Sequence, residues 1–440
     1  MKAKTEVTDM QVTENEKLLQ RARAVIPNGM YGHQSTGLLP PVTPQFFARA
    51  QGTYLWDYDG NRFIDLMSGY GPNLFGYGHE AIDAAYRAQL QQIDAATGPS
   101  AAMVDLAERF VAQIDHADWA MFCKNGTDAT TMALMTARAY RGKRKVLFAS
   151  GTYHGAAPWC TPLPTGTVPE DRAHFVYHRY NDLDSLAAAA AECGDDLAGV
   201  FVTPHRHEVI ADQELPHPAY ARALRTLCDE RDALLIIDDV RAGFRIARDS
   251  SWSPLGIAPD LSTWGKAIAN GHALSALAGS DRVREAAASI YVTGSFWFAA
   301  AAMAASLETL ALIRGSDYLE RTVAMGDQLR AGLTEICSRH ELAISQTGPS
   351  QMPLVIFDDA RGQRDPALTY AFAEQMVRGG VHFHPFHNMF VNAAMTEADI
   401  EHILSAAERA AGTIRRHGVS ALDPHIEAFF TLVGGMSDAA

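Results

Sequence analysis

The sequence predicts an α/β fold, with a mainly parallel sheet flanked by helices in a large domain and a smaller α+β domain. Continuous apolar runs at residues 145–150, 198–204 and 233–240 alternate with helical stretches, as buried parallel strands require. The 440 residues exceed one ordinary domain, so we expect two hydrophobic cores. Beyond residue 315 helix-like and strand-like segments are mixed, which indicates the second, α+β domain.

Local signals place the elements at the two ends of the chain. Asp59-Gly60 lies between two apolar-aromatic runs and predicts a β-hairpin. Thr396, with Asp399 three positions later, predicts the start of a long helix. We expect three segments: an N-terminal arm with part of the small domain (1–75), the large domain (76–315) and the C-terminal small domain (316–440).

The composition points to a small-molecule substrate. Acidic residues outnumber basic ones 51 to 37, and no cluster of Lys and Arg is present, which argues against nucleic acid or an anionic membrane as partner. The five cysteines have no CxxC spacing, so neither a disulfide framework nor a metal site is indicated. The N-terminus lacks the apolar core of a signal peptide, so we expect a cytoplasmic protein.

Polar residues of the kinds that catalyse reactions or bind ligands follow the ends of the predicted strands, where open α/β sheets bind their ligands. One buried strand runs directly into Asp238 and Asp239, and burying carboxylates is costly unless they have partners. Another short strand ends at Gly265 and Lys266. A lysine that is desolvated beside positive groups loses its proton readily and becomes a nucleophile toward aldehydes.

A third strand end carries Asn125, Gly126 and Thr127 at the start of an amphipathic helix. Backbone N–H groups at a helix start bind phosphate, although an ordinary helix cap explains the same pattern. Tyr153, in the segment GTYHG, offers an aromatic ring beside a glycine.

Together these segments resemble the class III aminotransferases of fold type I, on the branch that includes glutamate-1-semialdehyde aminomutase. The resemblance covers nearly the whole chain and runs from GTYLWDYDGNRFIDL through NGTDAT, YHG, IIDDVRAGFR, WGKAIANG and TGSFW to FVNAAMTEADI. Within that branch, blocks such as MYGHQSTGLLPP and TPHRHEVIADQ are similar to the bacterial aminotransferases that deaminate hydrolysed fumonisin.

The resemblance implies pyridoxal 5'-phosphate (PLP) as the cofactor, bound in the segment 76–315. Lys266 would carry PLP as a Schiff base and move the proton of the reaction. Asp238 would keep the pyridine nitrogen of PLP protonated. Tyr153 would stack on the ring.

The phosphate group of PLP would be held by Asn125, Gly126 and Thr127, again by resemblance. Ser295 would reach the phosphate of a neighbouring subunit, which implies a homodimer with active sites at the interface. A common turn explains Ser295 equally well. Thr203-Pro204 stands where the family usually has Glu-Pro, so the contact to the phenolic oxygen of PLP is unassigned, with residues 205–208 as candidates.

The substrate is the least constrained inference. Residues 381–395 contain no arginine to hold a carboxylate, and their aromatics and His384 indicate a lining for apolar chains or a core strand. We therefore expect a long-chain or bulky apolar amine, such as hydrolysed fumonisin or another aminopolyol, as donor. A keto acid such as pyruvate would accept the amino group in a ping-pong exchange. Arg206 and Arg241 are candidates for the acceptor's carboxylate.

Three other functions stay open at this point. The first is an aminotransferase for β-amino acids. The second is an aminomutase of the glutamate-1-semialdehyde type, which would isomerise one substrate without an added keto acid. The third is a non-catalytic protein built on the same fold, which the joint presence of Lys266 and Asp238 argues against.

Overall fold

The structure, a computed structural model, describes residues 13–163, 165–207, 209 and 211–438. The strands in the described residues are β1 Phe47–Gln51, β2 Tyr54–Asp57, β3 Arg62–Asp65, β4 Trp119–Cys123, β5 Lys145–Ala149, β6 Phe175–His178, β7 Leu197–Val202, β8 Leu234–Asp238, β9 Leu261–Trp264, β10 Ser275–Gly279, β11 Ala343–Thr347, β12 Leu354–Asp358 and β13 Val381–His382.

The α-helices in the same part of the chain are α1 Glu14–Val25, α2 Glu80–Leu90, α3 Ala101–Val111, α4 Gly126–Arg141, α5 Leu183–Cys193, α6 Pro218–Glu230, α7 Arg284–Ser289, α8 Ala300–Gly315, α9 Tyr318–Arg339, α10 Pro366–Arg378, α11 Glu397–His417 and α12 Pro424–Asp438. Over the described residues, none of these helices combines the length and the apolar character needed to cross a membrane.

A seven-stranded sheet forms the centre of the molecule. Its strand order is β4-β10-β9-β8-β7-β5-β6, and β10 runs antiparallel to its neighbours β4 and β9. The pairs β9–β8, β8–β7, β7–β5 and β5–β6 are all parallel. The three apolar runs of the sequence form β5, β7 and β8, so the predicted mainly parallel sheet is confirmed.

Helices cover both faces of this sheet. Helices α4 and α7 pack on one face, and α2, α3, α5, α6 and α8 pack on the other. Strand β8 shows why its sequence is apolar throughout. Leu234 and Ile236 enter the core beneath α4, whereas Leu235 and Ile237 enter the core on the opposite face. Since side chains alternate along a strand, the side chain of Asp238 lies on the face of the sheet that α4 covers.

A second sheet joins the two ends of the chain. Strands β2 and β3 form the hairpin predicted around Asp59-Gly60, β1 extends it, and β13 pairs in parallel with β3. Helices α9, α10 and α11 share a core with Ile64 and Leu66 of this sheet. Helix α11 begins after Thr396, whose hydroxyl accepts a hydrogen bond from the backbone N–H of Asp399 at 3.3 Å, as predicted.

This shared core agrees with an α+β unit built from both ends of the chain. The expected segment boundaries at 75/76 and 315/316 stay predictions. Residues 1–12 and 439–440, which belong to the expected terminal segments, lie outside the described residues.

The buried carboxylate of Asp65 joins strands β3 and β13 of the second sheet. It accepts hydrogen bonds from the Tyr77 hydroxyl at 2.5 Å and the Met67 backbone N–H at 2.8 Å, and its Oδ1 lies 2.9 Å from Nδ1 of His382 in β13. The pair of Asp65 and His382 therefore fastens β13 to β3 through side chains as well as through the backbone ladder.

We predict that Asp65→Ala lowers the free energy of unfolding by about 3 kcal/mol, because the change leaves the buried partners of the carboxylate unpaired. Chemical denaturation of the purified variant measures this loss. The exposed Asp105 supplies the control, and Asp105→Ala should leave stability within about 0.5 kcal/mol of the parent. Equal stability of the two variants would contradict the structural role of Asp65.

Candidate active site

Four predicted site elements meet at the carboxyl edge of the central sheet. Asp238 ends β8, Lys266 follows β9, and Gly126 begins the helix that follows β4. The loop with Tyr153 follows β5. Because these strands belong to one sheet, residues far apart in sequence come together as predicted.

The Asp238 carboxylate is held by three neighbours. Its Oδ1 accepts hydrogen bonds from the Thr263 hydroxyl at 2.9 Å and the Val240 backbone N–H at 3.1 Å. Its Oδ2 lies 2.7 Å from Nδ1 of His154, and the other ring nitrogen of His154 lies 3.0 Å from the Thr152 hydroxyl. These contacts fix the direction of the carboxylate. Sequence reasoning missed His154, although it directly follows Tyr153 in the YHG segment.

The neighbouring Asp239 faces the other way. Its Oδ2 accepts hydrogen bonds from the Ser250 hydroxyl and the Ser251 backbone N–H, both at 3.2 Å. Burial raises the pKa of Asp239 to about 7, with the hydrogen bonds from Ser251 and Ser250 acting against the rise. Strand alternation thus separates two adjacent acids into one that faces Lys266 and one that is structural.

Lys266 has an unusual backbone conformation and an amine with a lowered pKa. Its φ of +48° lies in the left-handed region, which costs a non-glycine residue free energy and is typical of functional positions. Over the described residues, its Nζ makes no hydrogen bond or ion pair. Burial lowers the pKa of Lys266 to about 7, and the charges of Arg241 and Arg245 add to this effect, while Asp238 opposes it. The amine is therefore largely deprotonated just above neutral pH.

The start of α4 is packed closely against the sheet and the Tyr153 loop. A Cβ on Gly126 would lie 2.7 Å from Cγ1 of Val240, and a Cβ on Gly155 would lie 2.4 Å from Oγ1 of Thr127. That hydroxyl accepts a hydrogen bond from the Ala156 N–H at 3.1 Å. The first N–H groups of the helix have no intrahelical partner, so Gly126 and Thr127 offer two donors to an anion.

Asn125, the residue before α4, uses its side chain locally. Its amide donates to Oδ2 of Asp128 at 3.2 Å, and its backbone N–H donates to the same oxygen at 3.1 Å. The predicted contact between Asn125 and a phosphate group stays a prediction.

Tyr153 lies beside this group of residues with 38% of its surface exposed. Burial raises the pKa of Tyr153. The charges of Arg241 and Asp238 also affect this pKa, so the tyrosine lies near both residues. Ser295 is instead exposed, in a segment where Tyr291 and Phe296 are 87% and 68% exposed. Within this chain, Ser295 is not part of the Lys266 site.

The two candidate arginines have different surroundings. Arg206 forms an ion pair with Glu214 at 2.9 Å and donates to the Asp212 carbonyl at 3.0 Å, so its charge is already balanced. Arg241 donates from Nη1 to the Asn388 side-chain oxygen, and its buried Nε has no partner among the described residues. Which of them, if either, binds an acceptor's carboxylate stays a prediction.

One wall near Lys266 consists of neutral aromatic side chains from distant segments. His384 is buried, lies edge-on to Phe386 at 4.4 Å, and has its pKa lowered by burial to about 3. The Tyr70 ring contacts His33 at 4.6 Å and His387 at 5.4 Å. The charges of Lys266 and Arg241 both lower the pKa of His33 and of His387, which indicates that this wall lies near the two basic side chains.

No motif or spacing in the sequence points to His33 or Tyr70. Their contact depends on a left-handed turn, in which Tyr70 has a φ of +66°, and on the path of the N-terminal arm. The Tyr70 hydroxyl donates to the backbone carbonyl of His33 at 2.5 Å.

Comparison with known proteins identifies the family. The family model for class III aminotransferases matches residues 40–410. The chain belongs to the class III aminotransferase family. It is 52% identical to an aminopentol aminotransferase of Sphingopyxis macrogoltabida, over 94% of this chain and 97% of that protein. It is 32% identical to a glutamate-1-semialdehyde 2,1-aminomutase of Bordetella avium, over 91% of this chain and 99% of that protein.

A solved structure supports the same assignment for the fold. The PLP internal aldimine form of a Sphingopyxis protein named FumI superposes with a TM-score of 0.91 at 52% identity, over 93% of this chain and 98% of that one. The predictions of fold type I and of a PLP-dependent aminotransferase are thereby confirmed.

The residues present fit this cofactor. A site for PLP needs an amine that can lose its proton, an anion opposite the ring nitrogen and donors for a phosphate group. Lys266 supplies an unpartnered amine, and Asp238 supplies a fixed carboxylate. The close packing of Gly126 leaves the backbone N–H groups at the start of α4 as the phosphate donors.

We predict that Lys266 in the cofactor-free protein reacts with a small aldehyde and a reductant with a half-maximal rate near pH 7. The neutral amine is the nucleophile, and it predominates above the lowered pKa of Lys266. Mass spectrometry of peptides measures the rate at each pH. Solvated lysines, with an ordinary pKa of about 10.4, serve as the internal comparison. A midpoint above pH 9 for Lys266 would show that its surroundings do not lower its pKa.

Proposed function

We propose that this chain is a transaminase that moves the amino group of a primary amine with a long or bulky apolar body to a small keto acid such as pyruvate. Hydrolysed fumonisin or a related aminopolyol is the favoured donor, since the relative with 52% identity is an aminopentol aminotransferase. The observation that carries the chemistry is the deprotonatable amine of Lys266 beside a carboxylate that His154 and Thr263 hold in place.

When bound, PLP supplies an aldehyde carbon that exchanges the amino group and a ring that withdraws electrons from the reacting carbon. Lys266 would hold the cofactor through that aldehyde carbon, and its Nζ, when free, would take the proton from the donor's amino-bearing carbon. The same Nζ delivers a proton when the keto acid is converted into its amino acid. The two half-reactions alternate, so the first product leaves before the keto acid binds.

Asp238 would hold a proton on the pyridine nitrogen of PLP. This role depends on a carboxylate that stays in place, and the contacts with His154, Thr263 and the Val240 N–H hold it there. Gly126 and Thr127 would bind the phosphate group through backbone N–H groups, and Tyr153 would stack on the ring.

The donor's apolar body lies against the wall formed by His33, Tyr70, His384 and His387. Burial keeps His384 and His387 neutral, so these two imidazoles offer no cation to a donor's carboxylate. A primary amine without a carboxylate suits such a wall better than an amino acid does.

We also propose a homodimer with Ser295 reaching the phosphate site of the neighbouring subunit. The exposed rings of Tyr291 and Phe296 on either side of Ser295 support a contact surface there. A cytoplasmic location is proposed as well, because the five cysteines form no disulfide in the described structure.

We predict that the purified protein, supplied with PLP and pyruvate, forms alanine from long-chain amines and aminopolyols at least tenfold faster than from α- or β-amino acids. The neutral wall gives an apolar body favourable contacts and gives a carboxylate none. Chromatography of alanine over a donor panel makes the measurement, and Lys266→Ala serves as the inactive control. Alanine formed only from amino acids would overturn the donor class. Conversion of a single substrate without pyruvate would indicate an aminomutase instead.

We predict that Asp238→Asn lowers kcat/KM by roughly 100-fold or more, because the charge opposite the ring nitrogen is lost while the shape is kept. Asp239→Asn is the matched control on the adjacent residue. Its carboxyl has a pKa of about 7 and contacts serines, so we expect a change below about tenfold. Kinetics and thermal melting of both variants separate the effect on chemistry from the effect on folding. A larger loss in Asp239→Asn would reverse the two assignments.

A further inference from the structure

The wall near Lys266 contains two imidazoles that burial keeps neutral and whose ring protons are fixed by the backbone. Nδ1 of His387 lies 2.7 Å from the backbone carbonyl of Asn388. A carbonyl only accepts, so this Nδ1 carries the ring proton and Nε2 is left as an acceptor. Nδ1 of His384 instead accepts from the backbone N–H of Phe386 at 3.4 Å, so its proton lies on Nε2. The wall therefore presents one donor and one acceptor.

These two Nε2 atoms are unused. Neither of them makes a hydrogen bond within the part of the chain that the structure describes. A ligand can still reach them, since His384 keeps 6% of its surface accessible and His387 is partly exposed. Covering a polar atom without replacing its hydrogen bond to water is unfavourable. A well-matched ligand therefore supplies an acceptor to His384 and a donor to His387.

The two rings are close enough to serve the same part of a ligand. Their centres lie 5.7 Å apart. A hydrogen bond spans about 2.9 Å, so oxygen atoms on one carbon or on two neighbouring carbons can contact both rings. The Tyr70 ring lies 6.1 Å from His384 and 5.4 Å from His387, and its hydroxyl already donates to the His33 carbonyl. Tyr70 thus leaves both free nitrogens to a ligand.

Packing places this pair beside the reacting amine. A Cβ on Gly71 would lie 2.8 Å from Cε1 of Phe390 and 3.3 Å from Cδ of Lys266. The centre of the Phe390 ring lies 6.1 Å from that of His387. A single aromatic ring thus separates His387 from the lysine side chain. The part of a donor that contacts the two histidines is therefore close to its amino group.

Few chemical groups match a donor beside an acceptor. A hydroxyl group both donates and accepts, so it satisfies either nitrogen. A carboxylate only accepts and would leave Nε2 of His387 without a donor, whereas an ammonium group only donates and would leave His384 without an acceptor. An alkyl chain satisfies neither nitrogen. The pair therefore distinguishes a hydroxylated chain from a plain alkyl chain and from a carboxylate.

We propose that His384 and His387 bind a hydroxyl group of the donor close to its amino group, and that they make the enzyme prefer amino alcohols to plain alkylamines. This inference rests on the proposed function and deepens it, since it assigns recognition of the donor's hydroxyl group to two named residues. The rings of Tyr70 and Phe390 contact the apolar part of the chain. The two histidines determine specificity and take no part in the proton transfer by Lys266.

Three amines of equal length test the preference. They are 2-aminooctane, 2-aminooctan-3-ol and 7-aminooctan-1-ol, whose hydroxyl group lies at the far end of the chain. Alanine formed by the PLP-loaded enzyme from pyruvate gives kcat/KM for each amine. The parent should favour 2-aminooctan-3-ol over 2-aminooctane by roughly 10-fold or more, the range for two neutral hydrogen bonds. The rate with 7-aminooctan-1-ol should be close to that with 2-aminooctane.

Substitutions at the two histidines test which atoms are responsible. H384F and H387F keep a flat ring without nitrogen, and each should reduce the preference by roughly three- to tenfold. H384Q and H387Q place an amide where Nε2 lies and should retain most of the preference. H217F changes an exposed imidazole at the start of α6 and should retain all of it. Because two of the amines differ by one oxygen, a purely structural defect would lower both rates and leave their ratio unchanged.

The results separate this inference from the proposed function. Equal rates with all three amines would overturn the inference and leave the proposed function standing. An unchanged ratio in H384F and H387F, or an equal preference for 7-aminooctan-1-ol, would overturn it as well. No alanine from any of the amines would overturn the proposed function, and the inference with it.

Asparagine variants keep the test decisive if the phenylalanine variants do not fold. The shorter amide of H384N and H387N reaches only the position of Nδ1, so both variants should lose the preference. An unchanged ratio in both would contradict the role of the two Nε2 atoms.

Discussion

The site depends on one constraint, which is that β8 is buried on both faces. Four apolar residues fill the strand, and no polar side chain is accommodated before its last residue. Alternation then assigns the next two acids to opposite faces, so that Asp238 faces Lys266 and Asp239 faces the serines. A shift of the β8 register by one residue would exchange the positions of the two acids. The hydrophobic pattern that secures the sheet therefore also positions the carboxylate of Asp238.

Charge is distributed unevenly around Lys266. Two arginines, Arg241 and Arg245, act on its amine, against the single carboxylate of Asp238. This excess of positive charge favours the neutral lysine and the binding of an anionic ligand at the same time. A phosphorylated aldehyde satisfies both conditions, because it reacts with a neutral amine and brings negative charge to the site. The charges around Lys266 thus favour the cofactor that the family uses.

The sequence predicted those parts of the site that depend on strand ends. Asp238 and Lys266 follow recognisable apolar runs, and the start of α4 follows another, so the order of the chain was enough to bring them together. Sequence patterns do not reveal His154, because its contact with Asp238 joins two residues that are 84 positions apart in the chain. The two arginines could not be told apart either. Only the structure shows that Arg206 has an acidic partner and that Arg241 has none, and no periodicity or spacing carries that difference.

The choice between an amine and an amino acid as donor follows from which cations are free. A donor's carboxylate would need a guanidinium that can form a bidentate pair. Arg245 already contacts the Phe390 ring and the Gly71 carbonyl, and releasing it would leave that carbonyl without a donor. Arg241 donates to the side-chain oxygen of Asn388. The wall that includes His384 is neutral. Against that wall a carboxylate on the donor would be desolvated without a partner, whereas an alkyl or hydroxyalkyl chain would not.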